Sequence, residues 1–260
     1  MDQTVKLWNT QNKLIRTMSD QTTFVWSVVF SQNSEYLASG SLDHNVNIWR
    51  VRDLHRPRTL RGHKAEVYSV AFHPNNEFLT SGSFDGTIKI WNIKTGNLSL
   101  TLSDHKSGVY SVAFSSDGKF LASGSRDQTV KILNTLNGTL TGHIGPVSSL
   151  AFSPNNDYLA SGSNDHSFII WDCANWIIHK QSVSYTPIRS LVFSPDRKYL
   201  VTGDLDTLRF WSTEHGYPMM TILDFGSYIY SLTFSPNEDN LLMGCKYYNN
   251  AKILDYACLF

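Results

Sequence analysis

Three groups of side chains in this sequence have the composition of a nucleophile–base–acid triad. His63, Ser81 and Asp85 recur as His105, Ser123 and Asp127 and again as His143, Ser161 and Asp165, always at the same offsets. A hydroxyl, an imidazole and a carboxylate within hydrogen-bond reach are what acyl transfer through serine requires. Recurrence argues against that chemistry. An enzyme rarely needs three copies of one active site, whereas a repeated architecture needs one structural network in every unit. No unrepeated acid–base constellation stands beside these sets, so no catalytic residue and no enzymatic activity are expected.

Other chemistries find less support. The nine histidines are divided between these sets and scattered positions, and Cys173, Cys245 and Cys258 are too few for a disulfide framework and too dispersed for a metal site. Cys173, at a strand end, reads as an inert, partly buried thiol. No glycine-rich loop leads into a helix to cradle a phosphate. Neither a metal nor a cofactor is expected. With 22 basic and 22 acidic residues the formal charge is zero, which leaves little basis for direct nucleic-acid binding, since that rests on Lys and Arg neutralising phosphates. No apolar run approaches the roughly 20 residues that span a bilayer, and the start lacks the basic and apolar regions of a secretory signal. The sequons at Asn97 and Asn137 would matter only in a secreted chain. An intracellular location, cytoplasm or nucleus, and no membrane partner are therefore expected. The 41% apolar and 13% aromatic content of the 260 residues argues for a packed core rather than disorder.

The elements that carry the triad-like sets are repeats. Val25-Trp-Ser-Val-Val-Phe30 returns as Val67–Phe72, Val109–Phe114, Val147–Phe152, Ile188–Phe193 and Ile229–Phe234, at intervals of 38 to 42 residues. Each copy leads into a turn such as Ser-Pro-Asn-Asn, then Leu-Ala-Ser-Gly-Ser or a variant, an Asp in most copies, and an apolar run that usually ends in Trp. The runs are short, rich in Val, Ile, Phe and Trp, and bounded by turn residues, so they read as strands. Asp85-Gly86 marks a tight turn. A weaker fourth strand, such as Asn97–Leu102, closes most copies. First strands are apolar on both faces, second strands small and third strands large. Sheets that converge on an axis and splay outward need that gradient, and the fold class expected is an all-β propeller.

Gly62-His63, Ser81-Gly82-Ser83, Asp85 and Trp91-Asn92 resemble a WD40 repeat, as do Gly142-His143, Ser161-Gly162-Ser163, Asp165 and Trp171-Asp172. The resemblance covers essentially the whole chain. It implies one propeller domain over 1–260, with a partial repeat at 1–20 and repeats at 21–61, 62–103, 104–141, 142–182, 183–223 and 224–260. It also implies that His63, Ser81, Asp85 and Trp91, and His143, Ser161, Asp165 and Trp171, are buried structural tetrads. The carboxylate would hold the turn N–H groups and the imidazole, and the hydroxyl would link imidazole to indole. Several units depart from the pattern. The first has Gln21 in place of His but keeps Ser39, Asp43 and Trp49, and the third has Leu133 in place of Trp. The fifth offers Ser184 for His beside Thr202, Asp206 and Trp211. The last has Phe225 for His, Leu254 for Trp and no turn Asp in 246–250.

In this family one face of the ring commonly binds partners through three positions per repeat. Carried over, these are Phe24, Trp26 and Leu42; Glu66, Tyr68 and Phe84; Gly108, Tyr110 and Arg126; and Pro146, Ser148 and Asn164. The last two units contribute Pro187, Arg189, Leu205, Tyr228, Tyr230 and Lys246. The set is rich in the aromatic types that dominate interface hot spots. The reading that follows is a non-catalytic scaffold that docks a peptide or partner domain within a larger complex. Two alternatives remain open: a substrate receptor of a ubiquitin ligase, and an enzyme built on a propeller. Third strands number seven against six first strands, and Asp2–Trp8 closely repeats Asp127–Leu133. The chain is thus six full or near-full repeats plus an N-terminal half repeat. Either it is a fragment of a seven-bladed ring, or residues 13–18 complete the last unit and close six blades, leaving Asp2–Trp8 surplus.

Overall fold

The computed structural model describes residues 3–9, 13–18, 23–54, 57–134, 138–223, 228–235, 240–245 and 252–256. Gln21, Asn137, Phe225, the 246–250 segment with Lys246, and Cys258 lie outside the described residues. The chain divides into two compact units, Met1–Ser125 and Arg126–Phe260.

The first unit opens with an antiparallel pair, β1 (Val5–Trp8) and β2 (Leu14–Met18). Two four-stranded sheets follow, each in chain order: β3 (Val25–Phe30), β4 (Tyr36–Ser41), β5 (Val46–Arg50) and β6 (Arg58–Leu60), then β7 (Val67–Phe72), β8 (Phe78–Ser83), β9 (Ile88–Asn92) and β10 (Leu98–Leu102). The unit ends on the hairpin of β11 (Val109–Phe114) and β12 (Leu121–Ser125). The second unit begins with the pair β13 (Val130–Leu133) and β14 (Gly138–Leu140). Its two four-stranded sheets are β15 (Val147–Phe152), β16 (Tyr158–Ser163), β17 (Ser167–Asp172) and β18 (Ile177–Val183), then β19 (Ser190–Phe193), β20 (Tyr199–Gly203), β21 (Leu208–Ser212) and β22 (Pro218–Ile222). A three-stranded sheet of β23 (Ile229–Phe234), β24 (Asn240–Cys245) and β25 (Lys252–Asp255) closes it.

Six first-and-second-strand hairpins thus stand where the six sequence copies place them. The seven third strands end at or within a residue of the expected Trp or Leu positions. One expectation needs correction. Leu14–Met18 pairs with Val5–Trp8, Val5 opposite Met18, so β1 is not a surplus strand and β2 completes a half-sheet with it.

Size complementarity holds neighbouring sheets together. Second strands are buried almost throughout, and their glycines let the next first strand come close. A Cβ on Gly82 would lie 2.7 Å from Val109 Cγ1, closer than real Cβ atoms come, and 3.0 Å from Val112 Cγ1. Between the first two four-stranded sheets the core runs through Ala38, Ile48, Val67, Val70, Leu79 and Trp91. In the second unit Phe168, Ile170, Ile188, Leu191 and Trp211 do the same.

Candidate functional site

The triad-like sets assemble with hydrogen-bond geometry. Trp91 Nε1–H donates to Ser81 Oγ at 2.8 Å, Ser81 Oγ lies 2.7 Å from His63 Nε2, and His63 Nδ1 lies 2.9 Å from Asp85 Oδ2. The indole can only donate and the carboxylate only accept, so the chain of bonds runs from Trp through Ser and His to Asp. Asp85 also accepts from the Lys64 and Thr87 N–H groups and from the Thr87 hydroxyl, which pins the turn. Burial opposes its ionisation, but the bonds from His63, Thr87 and the two backbone groups outweigh that and hold the carboxyl far below the usual range. His143, Ser161, Asp165 and Trp171 repeat the network, with His143 to Ser161 at 2.8 Å, His143 to Asp165 at 3.0 Å and Trp171 to Ser161 at 2.8 Å. Ser81 and Ser161 have no exposed surface. A serine in that position meets no substrate, and its oxygen is already committed to an indole.

The pattern weakens elsewhere as the residues dictate. His105 reaches Ser123 at 2.9 Å, but Leu133 supplies no indole. In the first sheet Trp49 is fully buried and, among the described residues, its Nε1–H has no hydrogen-bond partner, so Ser39 does not receive it as expected. In the fifth unit Asp204, not Asp206, is the buried acid. Its carboxylate pairs with Arg209, whose Nη1 also donates to Ser184 Oγ at 2.9 Å, while Trp211 donates to Thr202 at 2.8 Å. Ser184 is too short to span the imidazole's place, and the Arg209 guanidinium reaches in from β21 to fill it. Asp206 is exposed and accepts from the Thr207 hydroxyl. The available signal was Gly203-Asp204 in place of Gly-Ser, together with an arginine at 209.

Two consequences can be measured. Asp85→Ala should lower stability by roughly 1–3 kcal/mol, because it strands buried donors; an unchanged denaturation midpoint would contradict the network. The pH dependence also has a definite sign. Burial depresses the His143 pKa below its ordinary 6.5 against the opposing pull of Asp165, so its contribution is complete above that value and fades as pH falls. Asp85 and Asp165 are depressed as well, so theirs is complete above the ordinary carboxylate value and fades on further acidification. The melting temperature should hold from pH 8 to 7, fall below about 6.5 and fall again below about 4. His143→Gln should flatten the first fall, and a wild-type profile level from pH 7 to 5 would refute the assignment.

The partner-face positions are brought together by backbone bonds. Leu42 N–H donates to Phe24 O, Phe84 N–H to Glu66 O and Asn164 N–H to Pro146 O, each at 2.9 Å. These bonds set the residue before each first strand beside the variable residue of the Gly-Ser-x-Asp turn. In the first unit the result is a continuous aromatic arc. Tyr68 lies at its centre, its ring centroid 5.2 Å from Trp26, 6.1 Å from Phe84 and 5.1 Å from Tyr110. Gly108, at an expected face position, makes room for this packing, since a Cβ there would lie 2.6 Å from Phe84 Cδ2. Trp26 is 41% exposed, and Phe24 and Phe84 are 37% exposed each. Leu42 and Glu66 are half-buried at its edge. In the second unit Tyr228 and Tyr230 stack at 6.3 Å and 25°, and Arg126 and Arg189 are exposed. Among the described residues no His, Cys, Asp and Glu cluster could hold a metal ion, and no helix is long and apolar enough to cross a membrane.

Repeated hairpins, buried Trp–Ser–His–Asp networks and a face built from turn residues define a class of repeat proteins. The model of the WD domain, G-beta repeat matches residues 12–50, 55–92, 96–134, 134–172 and 178–212. The chain belongs to the WD40 repeat family and has its β-propeller fold. No curated protein matches the sequence. A chain in the crystal structure of the mitotic checkpoint complex is similar to it, with a TM-score of 0.90 and 26% identity, over 97% of this chain and 81% of that one. It is one of 1811 solved chains that match, so likeness of fold does not select a function, which must be argued from the site.

Proposed function

We propose that the protein is a non-catalytic interaction scaffold that docks a peptide or partner domain on the aromatic arc. The carrying observation is the cluster of Trp26, Phe84 and Tyr110 around Tyr68, whose ring contacts each of the other three, with Trp26 and Phe84 more than a third exposed. Rings held against one another lose little freedom on binding and present a large apolar area with polar tips. Glu66 and Leu42 border the arc in the first unit, and Phe24 extends it. Arg126, Arg189, Tyr228 and Tyr230 are the corresponding contacts proposed for the second unit. The buried tetrads support the non-catalytic reading, because their hydroxyls serve turns and indoles rather than a cleft. That the similar solved chain comes from a multi-protein assembly fits a scaffold working inside a complex, and an intracellular setting fits the same role. The repeats at 21–61 through 224–260 are proposed as one interaction domain.

Amide hydrogen exchange on a purified complex tests this. Protection should concentrate in 24–26, 66–68, 84 and 108–110, with the outer strands β6 and β10 unaffected. Protection confined to the outer strands would overturn the assignment of the face.

A further inference from the structure

The residue that follows a third-strand Trp serves the next turn. Asn9 and Asn92 Oδ1 accept the Lys13 and Thr95 N–H groups at 2.8 and 3.0 Å. Asp172 Oδ1 accepts the Ala174 N–H at 3.0 Å, and Ser212 Oγ the His215 N–H at 3.1 Å. A short acceptor side chain thus closes the way to the fourth strand. In the first four-stranded sheet the same place holds Arg50, which faces Tyr36 as Asn92 faces Phe78 and Asp172 faces Tyr158. A guanidinium has nothing to offer a turn N–H. Among the described residues the Arg50 side chain has no hydrogen-bond or ion-pair partner, and a 3-10 turn, Val51–Asp53, follows instead.

Arg50 lines a cavity of about 150 Å³ between the first two four-stranded sheets, with Ile48 and Ile93 as its apolar wall. The rest of its polar lining is Arg58, Lys94, Asp53 and the half-buried Tyr36. Arg58 is held in place. Its Nη1 donates to Ile93 O at 2.7 Å and to Lys94 O at 2.6 Å. Gly96, at φ +77°, gives its stem room, since a Cβ there would lie 2.7 Å from Arg58 Cδ. The Nε and Nη2 N–H groups of Arg58, the Lys94 ammonium and the Tyr36 hydroxyl have no partner among the described residues, and Asp53 pairs with none of these cations. Three cations against one carboxylate leave a surplus of two positive charges. The cavity stands at the ends of β4 and β5 away from the aromatic arc, since Tyr36 opens β4 while Ser41, opposite Val25, closes it.

We propose that this cavity binds a single dianionic phosphate group. A phosphate ester carries about −1.5 to −2 charges at pH 7, which meets the surplus of two, whereas a carboxylate would leave one positive charge unmet. Its oxygens only accept, and the uncommitted groups of Arg50, Arg58, Lys94 and Tyr36 donate. A guanidinium already fixed by two carbonyls loses little freedom on taking up an anion, and the apolar wall strengthens the field that the cations set up in the hollow. The volume is well under the roughly 300 Å³ at which drug-sized pockets begin, so it suits one such group rather than a whole nucleotide. The Asp53 carboxylate can accept from an N–H that accompanies the phosphate. The inference is independent of the aromatic arc.

The test uses the whole chain, labelled for nuclear magnetic resonance, and the peptide acetyl-Ala-phosphoserine-Ala-amide. The Nε–H resonances of Arg50 and Arg58 should shift saturably as peptide is added at constant ionic strength. The unphosphorylated peptide and acetate, at the same concentration, should leave them in place. Affinity should fall about fourfold between pH 7.5 and 5.5, on protein still folded by circular dichroism, because the phosphate loses its second charge near pH 6. Arg50→Asn, the residue type of Asn92, and Lys94→Gln should each weaken binding about tenfold or more while the melting temperature is kept. Inorganic phosphate separates the sources. A tighter peptide assigns the cavity to a phosphorylated side chain, equal affinity assigns it to the free ion, and both uphold a phosphate site. No saturable shift, an equal response to acetate, or wild-type affinity in both variants would overturn it.

Discussion

Replacing Arg209 with alanine should destabilise the protein by about 3–5 kcal/mol, a cost typical of removing one partner from a buried ion pair. Arg209 is 8% exposed and Asp204 is 1% exposed. Once the guanidinium is gone, Asp204 keeps the Thr207 N–H at 3.2 Å and Ser184 Oγ at 3.4 Å, which leaves a buried carboxylate with no countercharge. Ser184 loses the Nη1–H that it accepts, and the Tyr185 ring loses the cation 5.4 Å from its centroid. Urea denaturation should show the loss as a lower midpoint, and hydrogen exchange should locate it in β19 to β22. The converse result is as specific. Asp204→Ala combined with Arg209→Met removes both charges, so the double variant should recover much of what Arg209→Ala alone loses. A single variant that loses under about 1 kcal/mol, or a double variant no better than the single, would show that the pair does not hold the sheet.

The same network shows where a sequence stops being informative. The period of Val/Ile-x-Ser-Val/Leu locates every inner hairpin, although the first strands are buried chiefly at their first and fourth residues rather than on both faces as their apolar composition suggests. The His–Ser–Asp–Trp sets recur at fixed offsets, and it was the resemblance to WD40 repeats that implied a buried tetrad at each. The choice between Asp204 and Asp206 was legible only through a departure from the repeat, Gly203-Asp204 in place of Gly-Ser with an arginine at 209, and the repeat pattern pointed to Asp206 instead. The Arg209 guanidinium pairs with Asp204 in the buried site, while Asp206 faces water. Trp49 has the same type and offset as Trp91, yet among the described residues its N–H finds no acceptor. Val28 and Phe30 make the point most clearly. They resemble Val70 and Phe72 in type and place, yet each is 46% exposed, against 5% and 8%. Residue type records what a position can pack against; whether that neighbour is present is a property of the assembled sheets.

Trp26→Ala and Tyr68→Ala should each weaken partner binding by about 2 kcal/mol or more, close to thirtyfold in affinity, while the protein stays folded. The two act differently. Trp26 is 41% exposed and would lose its own contact area with the partner. Tyr68 is half-buried and touches Trp26, Phe84 and Tyr110, so its loss also frees three neighbours whose mutual order lowers the entropic cost of binding. Edge-to-face and tilted ring pairs of this kind are worth roughly 0.5–1.5 kcal/mol each. The double variant should therefore lose less than the sum of the single variants, because Trp26 without Tyr68 is no longer a fixed anchor. Conserving the ring separates these effects. Tyr68→Phe keeps the packing and removes only the hydroxyl, so it should retain most of the affinity if the arc works through its rings. Titration calorimetry against the purified partner, with melting temperatures measured on each variant, resolves the matter. Folded Trp26→Ala and Tyr68→Ala proteins with wild-type affinity would remove the arc from the interface, and a Tyr68→Phe loss as large as that of Tyr68→Ala would shift the weight from the rings to the hydroxyl.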